Sequence, residues 1–372
     1  MGTVPSDKIR NIGIFGHSGT GKTSLVEAIL FASHQTTRLG NVEEGNTVTD
    51  YEPDEIKRKT TINSKLASFN YQEYKFNIFD TPGYADFIGE VLALLPAIES
   101  AVFLVSASAG VEITTKRLWR YGQESGKTGF IFVNKIEKEN VEFEKVTESI
   151  KKSLSSRAQP VFLPVYAGGK LAGLADLLLQ KFFAYQDGQL VEGEPPAEFK
   201  GRIEAARTEL VEKVAESSEE LLEKYLTHGQ LTEPEFFEGL KKALHGGDLV
   251  PIFCGSASNN LALNYFLENL ATLAPSPLEK PGLKALNPDT GVEEAVKPGP
   301  AFASQIFKII SDPGVGEIYF LKIFSGTARS GLDVFVPNKR SNERLGGLLT
   351  FLAKKEARSL KLAPVMLWRW PS

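Results

Sequence analysis

A phosphate-binding loop near the start of the chain constrains the fold more than any other feature. Residues 16–23 read GHSGTGKT, which matches the pattern G-x-x-x-x-G-K-[ST] and directly follows the apolar run Ile9 to Phe15. A strand, a glycine loop and a helix in this order cradle a di- or triphosphate on backbone N–H groups. Lys22 is expected to reach the β- and γ-phosphates, and the Thr23 hydroxyl to coordinate Mg²⁺. The residues assigned to this part of the site are Gly16, His17, Ser18, Gly19, Thr20, Gly21, Lys22, Thr23 and Ser24.

Three later apolar runs end in short motifs that indicate which nucleotide is bound. The run Tyr74 to Phe79 ends in Asp80, which is expected to hold Mg²⁺ through water, and the Gly83 N–H is expected to sense the γ-phosphate. The run Thr128 to Val133 ends in Asn-Lys-x-acid, and the run Leu249 to Cys254 ends in Gly-Ser-Ala. A carboxylate accepts from guanine N1–H and the exocyclic amine, and an Ala N–H donates to O6, so these two motifs predict guanine. The assigned residues are Asp80, Thr81, Pro82, Gly83, Tyr84, Asn134, Lys135, Ile136, Glu137, Gly255, Ser256 and Ala257.

The order of elements predicts an α/β fold with a small insert. Strands alternate with helices in the first half, which indicates a mostly parallel sheet with helices on both faces. Together with the phosphate loop and the guanine motifs, this predicts an α/β P-loop GTPase domain. This domain is placed at 1–280, and residues 160–247 delay the last motif and are predicted to be an α+β insert. Within the insert, Thr232 with Glu235 predicts a capping box at the start of a helix that ends at Gly246.

Prolines mark the boundary of a second region. They recur between residues 275 and 300, and a linker is placed at 281–299. Beyond it the pattern changes to short strands, which are Ala301 to Ile310, Gly316 to Phe324, Val334 to Val336 and Arg344 to Phe351. A second, β-rich domain is therefore predicted over 300–372.

The segment between the first two motifs resembles a known family. Asp50 to Ile62 reads DYEPDEIKRKTTI, which resembles switch I of elongation factor G, D-x-x-x-x-E-x-x-R-G-I-T-I. Residues 80–87, which we call switch II, resemble the family motif D-T-P-G-H-x-D-F. The resemblance extends to about Leu362. It implies that Thr61 is the switch threonine that completes the Mg²⁺ shell beside Thr23 and Asp80. It also implies that the second region is a β-barrel, here expected to be incomplete.

Ribosomal partners are implied by the same resemblance. In elongation factor G the insert docks the ribosomal stalk proteins, and here the helical insert has an acidic face. An ordinary solvated surface is the alternative interpretation of that face. The basic cluster Lys57-Arg58-Lys59 in switch I is a candidate contact with ribosomal RNA phosphates, or else a solvated charge run on a mobile loop.

Three departures from the family pattern bear on activity. Tyr84 stands where the family has its catalytic histidine, and a phenol is a poor general base near neutral pH but can orient a water. Together with GGKLAGLADLL at 168–178, this tyrosine resembles a paralogous branch of the family. Glu137 replaces Asp, which is expected to reduce guanine preference without removing it. Lys59-Thr60 replaces Gly-Ile beside the switch threonine.

The sequence therefore predicts a protein that binds guanine nucleotides, and three interpretations of its activity stay open. The first is binding of GTP and GDP with Mg²⁺, followed by slow or ribosome-stimulated hydrolysis in which Tyr84, Gly83 and Lys22 take part and switch I and II rearrange. The second is a non-hydrolysing GTP-binding module that competes for the ribosomal factor site. The third is a GTPase that acts outside translation.

Composition sets the expected compartment. The net charge of −4 offers no basic footprint for autonomous DNA or RNA binding. No stretch reaches the roughly 20 apolar residues that span a bilayer, so no membrane contact and a cytoplasmic location are expected. The single cysteine, Cys254, lies in an apolar strand and is interpreted as a buried structural thiol.

The C-terminal tail departs from the family in a specific way. Family barrels continue with a strand of the type A-G-D-x-V-A-V, whereas this chain reads PVMLWRWPS after Ala363 and holds two of its three tryptophans there. Codons allowed for this tail, regrouped by one base, encode Gly-Asp-Val-Val-Ala-Val-Ala. The expectation is that these residues are out of frame and that the chain is a truncated product that lacks native barrel strands.

Overall fold

The strands of the first region form two sheets. The computed structural model describes residues 4–287, 290–312, 316–352, 355–358 and 366–369. The strands of the first region are β1 (Ile9–Gly16), β2 (Lys65–Tyr71), β3 (Tyr74–Asp80), β4 (Ser100–Ser106), β5 (Thr128–Asn134), β6 (Ala158–Pro160), β7 (Phe162–Ala167), β8 (Lys170–Asp176), β9 (Lys181–Gln186), β10 (Gln189–Gly193) and β11 (Val250–Gly255).

Within the first region the larger sheet is parallel except for one pair. Its strands there lie in the order β2-β3-β1-β4-β5-β11-β6, and only the β2–β3 pair is antiparallel. Beyond β2 the sheet continues into strands of the second region, described below, through one antiparallel pairing of Ala67 with Leu352. Every residue of β1, β4, β5 and β11 is buried, as expected for parallel strands covered on both faces. The predicted fold class, an α/β P-loop GTPase domain, is confirmed.

Helices cover this sheet and complete the insert. They are α1 (Lys22–Ala32), α2 (Pro53–Arg58), α3 (Ile88–Leu94), α4 (Ile113–Glu124), α5 (Phe143–Ser153), α6 (Ala197–Ala215), α7 (Glu219–His228), α8 (Glu233–Gly246) and α9 (Leu263–Leu273). Among the described residues, every helix is too short or too polar to span a membrane.

The insert is an antiparallel sheet with three helices. Its strands lie in the order β10-β9-β8-β7, and α6 packs against both α7 and α8. The predicted capping box of α8 is present, with the Thr232 N–H donating to Glu235 Oε2 at 3.0 Å, and α8 ends at Gly246 as predicted. Phe162 packs edge-on against Phe253 at 5.1 Å between ring centroids, which fixes the insert to the larger sheet.

The second region consists of antiparallel strands. They are β12 (Lys284–Leu286), β13 (Glu293–Ala295), β14 (Ala303–Asp312), β15 (Gly316–Ser325), β16 (Asp333–Val336), β17 (Ser341–Arg344), β18 (Leu348–Leu352), β19 (Lys355–Arg358) and β20 (Met366–Arg369). Strand β15 pairs with β14 and β20, and β18 pairs with β19 and β20. Of the residues predicted to be out of frame, only those of β20 lie within the described part of the chain.

The prediction of one strand from Arg344 to Phe351 is wrong. The chain forms β17 and β18 instead, separated by residues 345–347. The Leu345 N–H donates to the Leu332 carbonyl at 2.8 Å, and the Leu345 carbonyl accepts from the Gly331 N–H at 2.7 Å. Two glycines follow Leu345, so the backbone is free to change direction before β18 begins.

The second region packs on the switch side of the first. Phe307 of β14 meets Phe79 of β3 edge-on, with ring centroids 5.8 Å apart. Lys308 donates to the Ser64 carbonyl at 3.1 Å and to Glu90 Oε2 of α3 at 2.5 Å. The strand β14 is therefore fixed to the helix that follows the Asp80 motif.

Candidate nucleotide-binding site

The phosphate-binding loop is held by a hydrogen bond from the Lys22 side chain to the loop backbone, and its glycines allow a close approach of Asn134. Strand β1 ends at Gly16, α1 begins at Lys22, and Lys22 Nζ donates to the His17 carbonyl at 2.9 Å. Gly21, which precedes α1, has a φ of 93°, and a Cβ there would lie 2.4 Å from Asn134 Nδ2. Glycine is therefore required by both the backbone conformation and the close approach of Asn134.

A buried ammonium faces this loop. Lys22 is 6% exposed, and burial lowers its pKa to about 8, while the nearby Asp80 and Asp50 carboxylates oppose that shift. A polyphosphate at the loop would add negative charge next to Lys22 and favour its protonated form.

Asn134 connects the phosphate loop to both guanine-reading motifs. Its Nδ2 donates to the Thr20 carbonyl at 2.9 Å, and its Oδ1 accepts from the Ala257 N–H at 3.0 Å. Lys135 Nζ donates to the Gly19 carbonyl at 2.7 Å. Motifs more than 100 positions apart in sequence thus share one hydrogen-bonded cluster.

The acid of the Asn-Lys-x-acid motif has a free acceptor in this cluster. Glu137 Oε1 accepts from the Ser258 hydroxyl at 3.4 Å, whereas Oε2 is buried and has no partner among the described residues. A buried carboxylate oxygen without a donor is costly. The guanine N1–H and amine are donors of the kind that this oxygen lacks, so the residues present fit a guanine base.

The other predicted residues have structural contacts in the same region. Thr81 donates to the Ile14 carbonyl at 2.5 Å, and the Asn259 N–H donates to the Ser256 hydroxyl at 3.3 Å. A Cβ at Gly255 would lie 2.5 Å from the Leu261 carbonyl oxygen. Within the same loops, Ser24 lies in α1, and Pro82 and Ile136 are buried.

The predicted metal ligands fit Mg²⁺. The hydroxyl oxygens of Thr23 and Thr61 lie 2.9 Å apart. Neighbouring ligands of an octahedral Mg²⁺ at 2.0–2.1 Å are separated by about 3 Å. Asp80 accepts from the Thr49 hydroxyl at 3.0 Å through Oδ2, while its Oδ1 is buried without a partner in the described part of the chain. The switch threonine therefore already lies beside the loop threonine.

Two further carboxylates are buried near Asp80 and switch I, and the motifs did not indicate them as site residues. Asp50 is 4% exposed, and Glu27 of α1 is fully buried. Burial raises the pKa of Asp50 above its ordinary value, and the Asp80 charge raises it further. Glu27 Oε1 accepts from the N–H groups of Val48 at 2.7 Å and Thr49 at 3.3 Å, so Glu27 holds the segment that leads into switch I.

Switch II lies directly against the phosphate loop. A Cβ at Gly83 would lie 2.3 Å from Lys22 Nζ and 2.6 Å from the Ser18 nitrogen. Tyr84 is 50% exposed, and its hydroxyl has no hydrogen-bond partner among the residues described. Among the described residues, no hydrogen bond therefore fixes the position of this hydroxyl.

The insert reaches the guanine-reading motif through one tyrosine. The Tyr166 hydroxyl of β7 donates to the Ile136 carbonyl at 2.9 Å, and burial raises the pKa of Tyr166 above its usual range. This contact joins positions 30 residues apart in sequence, and no local motif marks it.

Tyr166→Phe is expected to weaken GTP and GDP binding by the same factor. The substitution leaves the Ile136 carbonyl without its donor, so the loop that carries Glu137 is less well ordered before the nucleotide binds. A hydrogen bond of this kind is worth about 0.5–1.5 kcal/mol, which sets the largest expected loss of affinity at about 2- to 12-fold. Isothermal titration calorimetry measures both affinities. Tyr185→Phe, in strand β9 of the same insert, is the matched control and should bind as the unmodified chain does. Equal affinities in all three proteins would contradict this role of Tyr166.

The fold and these contacts together define a class, the P-loop GTPase domains with a parallel sheet. Residues 7–276 match the family described as elongation factor Tu GTP binding domain, and the chain belongs to this family. A crystal structure of a protein from Thermus thermophilus is similar, with a TM-score of 0.83 and 29% identity. The match covers 98% of this chain and 55% of that one, so this chain spans little more than half the length of that relative.

Proposed function

We propose that this protein binds GTP and GDP with Mg²⁺ in the cytoplasm and hydrolyses GTP slowly, as a ribosome-associated translation factor similar to elongation factor G. The observation that carries this proposal is the Asn134 bridge, which joins the phosphate loop at Thr20 to the guanine-reading turn at Ala257. Membership of the elongation factor Tu GTP binding domain family supports guanine as the base. The proposed division is a GTPase domain at 1–280, a linker at 281–299 and a β-rich domain from 300.

Each residue of the site has a proposed role. Lys22 and the loop N–H groups would hold the phosphates, Thr23 and Thr61 would hold Mg²⁺ directly, and Asp80 would hold it through water. When bound, Mg²⁺ would supply positive charge that neutralises the β- and γ-phosphates. The Gly83 N–H would donate to the γ-phosphate. Loss of that phosphate removes the contacts that order Thr61 and Gly83, so both switches are released.

Hydrolysis is proposed to be slow because Tyr84 has no described partner that orients it. Tyr84→Phe should change the single-turnover hydrolysis rate by much less than the roughly 10²–10⁴-fold that general acid–base catalysis typically contributes. Tyr84→His should raise the rate. Both rates are measured with excess protein over radiolabelled GTP, with and without ribosomes. A loss of several orders of magnitude in Tyr84→Phe would make the hydroxyl chemically essential and overturn this account.

Guanine discrimination is proposed to be incomplete because Glu137 is longer than the aspartate of the family. Glu137→Asp should tighten GTP relative to ATP by up to the value of a good bidentate base contact, about 1–3 kcal/mol. Competition of GTP and ATP against a fluorescent GDP analogue gives the ratio of GTP affinity to ATP affinity for each protein. Glu139→Asp, two positions along on the exposed surface, is the matched control. A lower GTP-to-ATP ratio in Glu137→Asp would contradict the role assigned to Glu137.

Ribosome association is proposed through two surfaces. The basic cluster in switch I presents Lys57 and Arg58 to solvent, while Lys59 pairs with Glu43. The insert presents an acidic face that runs from the second half of α6 into α7. Its exposed glutamates are Glu209, Glu212, Glu216, Glu219, Glu220 and Glu223. Cosedimentation with ribosomes in a non-hydrolysable GTP analogue tests this proposal, because a GTPase that acts outside translation would remain in the supernatant.

A non-hydrolysing nucleotide sensor is the second candidate. It is favoured by the exposure of Tyr84 and the lack of any described partner for its hydroxyl. In that case single-turnover GTP hydrolysis would stay at the rate of GTP alone even with ribosomes, while the protein would still cosediment with them. Any ribosome-stimulated turnover would exclude this candidate.

A further inference from the structure

A second polar cleft lies at the opposite end of the sheet from the nucleotide site. It has a volume of about 250 Å³ and is lined by Glu99, Lys127, Lys280 and Lys322, among other residues. Glu99 and Lys127 immediately precede β4 and β5, whereas the nucleotide motifs follow the far ends of the strands. Lys280 belongs to the proposed GTPase domain near its end, and Lys322 belongs to β15, so the cleft lies between the two regions. We call it the lysine cleft.

Both oxygens of the single carboxylate among these four residues already have a partner. Glu99 Oε1 pairs with Lys322, and both side chains are buried, at 4% and 6% exposed. Glu99 Oε2 accepts from Asn11 Nδ2 at 2.8 Å. Among the described residues, Glu99 therefore makes its ion pair with Lys322 and not with Lys127 or Lys280.

The other two lysines make no ion pair among the described residues, although the nearby Glu99 charge raises the pKa of both. Lys280 Nζ donates to the His245 carbonyl at 3.1 Å, which is a neutral acceptor. Lys127 Nζ has no hydrogen bond and no ion pair in the part of the chain that the structure describes. Burial lowers the pKa of Lys127 to about 8, and the charges of Lys322 and Lys280 lower it further against the opposing effect of Glu99. The ammonium groups are thus close enough to repel one another.

We propose that the lysine cleft binds a small phosphate-bearing anion, with Lys127 and Lys280 as its direct contacts. Ammonium groups bind phosphate oxygens as compact point charges with up to three donors each. A volume of about 250 Å³ equals about eight waters of liquid volume, which admits a phosphate or pyrophosphate group with part of its hydration. This site is separate from the phosphate loop and does not depend on it.

Both direct contacts, Lys127 and Lys280, lie in the first region, beside the ion pair that Glu99 makes with Lys322 of β15. An anion bound to the folded chain stabilises that chain by mass action. The class of ligand is inorganic phosphate, pyrophosphate or the terminal phosphate of a phosphorylated metabolite, and the separate titrations below distinguish the first two.

The test uses the full chain carrying Lys22→Ala, which removes phosphate binding at the loop. Inorganic phosphate and pyrophosphate are titrated separately by calorimetry, and at least one should bind with a dissociation constant below about 1 mM. Adding Lys127→Ala or Lys280→Ala should weaken this binding about tenfold or more, since each removes a charge-assisted contact. Adding Lys170→Ala, an exposed lysine of the insert, should leave it unchanged.

Reversing the charge of Lys127 provides a second, independent test. The bound anion should raise the melting temperature of the Lys22→Ala protein, and Lys127→Glu in that background should abolish the rise. Lys127 makes no side-chain bond among the described residues, so its replacement removes no described internal contact. The proposal is overturned if neither anion binds, or if Lys127→Ala and Lys280→Ala both bind as tightly as Lys170→Ala.

Discussion

Lys22→Ala is expected to lower GTP and GDP affinity by at least about 30-fold, because truncating one partner of a buried charge pair costs about 2–5 kcal/mol or more. Nucleotide binding should then no longer be detectable. Its ammonium is buried at the phosphate loop and held on the His17 carbonyl, where it faces the position of the phosphates. The affinities are measured with a fluorescent GDP analogue and by competition with GTP.

The control for this substitution is Lys170→Ala, which removes the same charge from the exposed surface of the insert. It should bind both nucleotides as the unmodified protein does. Near-normal GTP affinity in Lys22→Ala would show that the loop at residues 16–23 does not hold the phosphates.

Gly83→Ala is expected to lower the GTP hydrolysis rate by about 10²–10³-fold, the usual cost of losing one preorganised donor at the reacting group. A methyl group there would lie 2.6 Å from the Ser18 nitrogen, which is backbone and cannot move aside without displacing the phosphate loop. Switch II must therefore retreat from the loop, and the Gly83 N–H loses its position at the γ-phosphate. GDP binding should change only a few-fold, since Gly83 is not assigned to the α- and β-phosphates.

A neighbouring glycine provides the control. A Cβ at Gly89, in the helix that follows switch II, would meet no atom within 4 Å. Gly89→Ala should therefore keep its hydrolysis rate, measured in the same single-turnover assay with ribosomes. Equal losses of hydrolysis rate in the two variants would show that the effect does not depend on the position of Gly83. An unchanged rate in Gly83→Ala would contradict the contact assigned to the Gly83 N–H.

The sequence predicted the main sheet and the clustering of its motifs for one physical reason. Each motif follows an apolar strand, and the carboxyl ends of parallel strands lie at one edge of a sheet. Asn134 and Ala257 therefore meet although they are far apart in the chain. Thr61 is different, because it precedes β2 and only the family resemblance indicated that it would lie beside Thr23. Local sequence patterns are sufficient to predict that these motifs lie together, because parallel strands place their carboxyl ends at the same edge of the sheet.

Contacts that depend on packing between distant segments were not predictable in this way. Glu27 is one of several polar residues in α1 by sequence, and only the path of the chain brings Val48 and Thr49 onto it. Tyr166 reaches Ile136 because β7 of the insert packs beside β11. The division between β17 and β18 did have a signal, the glycine pair after Leu345, which a run of strand-forming residues obscured.

Titration of the unmodified protein with GTP and ATP is the most direct test of guanine-nucleotide binding with Mg²⁺. Isothermal titration calorimetry with each nucleotide, repeated after removal of Mg²⁺ by chelation, compares the affinities in both conditions. We expect GTP to bind at least about fivefold more tightly than ATP, the lower bound for a bidentate base contact. Chelation should weaken GTP binding. Equal affinity for GTP and ATP would contradict the assignment of Glu137 and Ala257 as the guanine-reading pair.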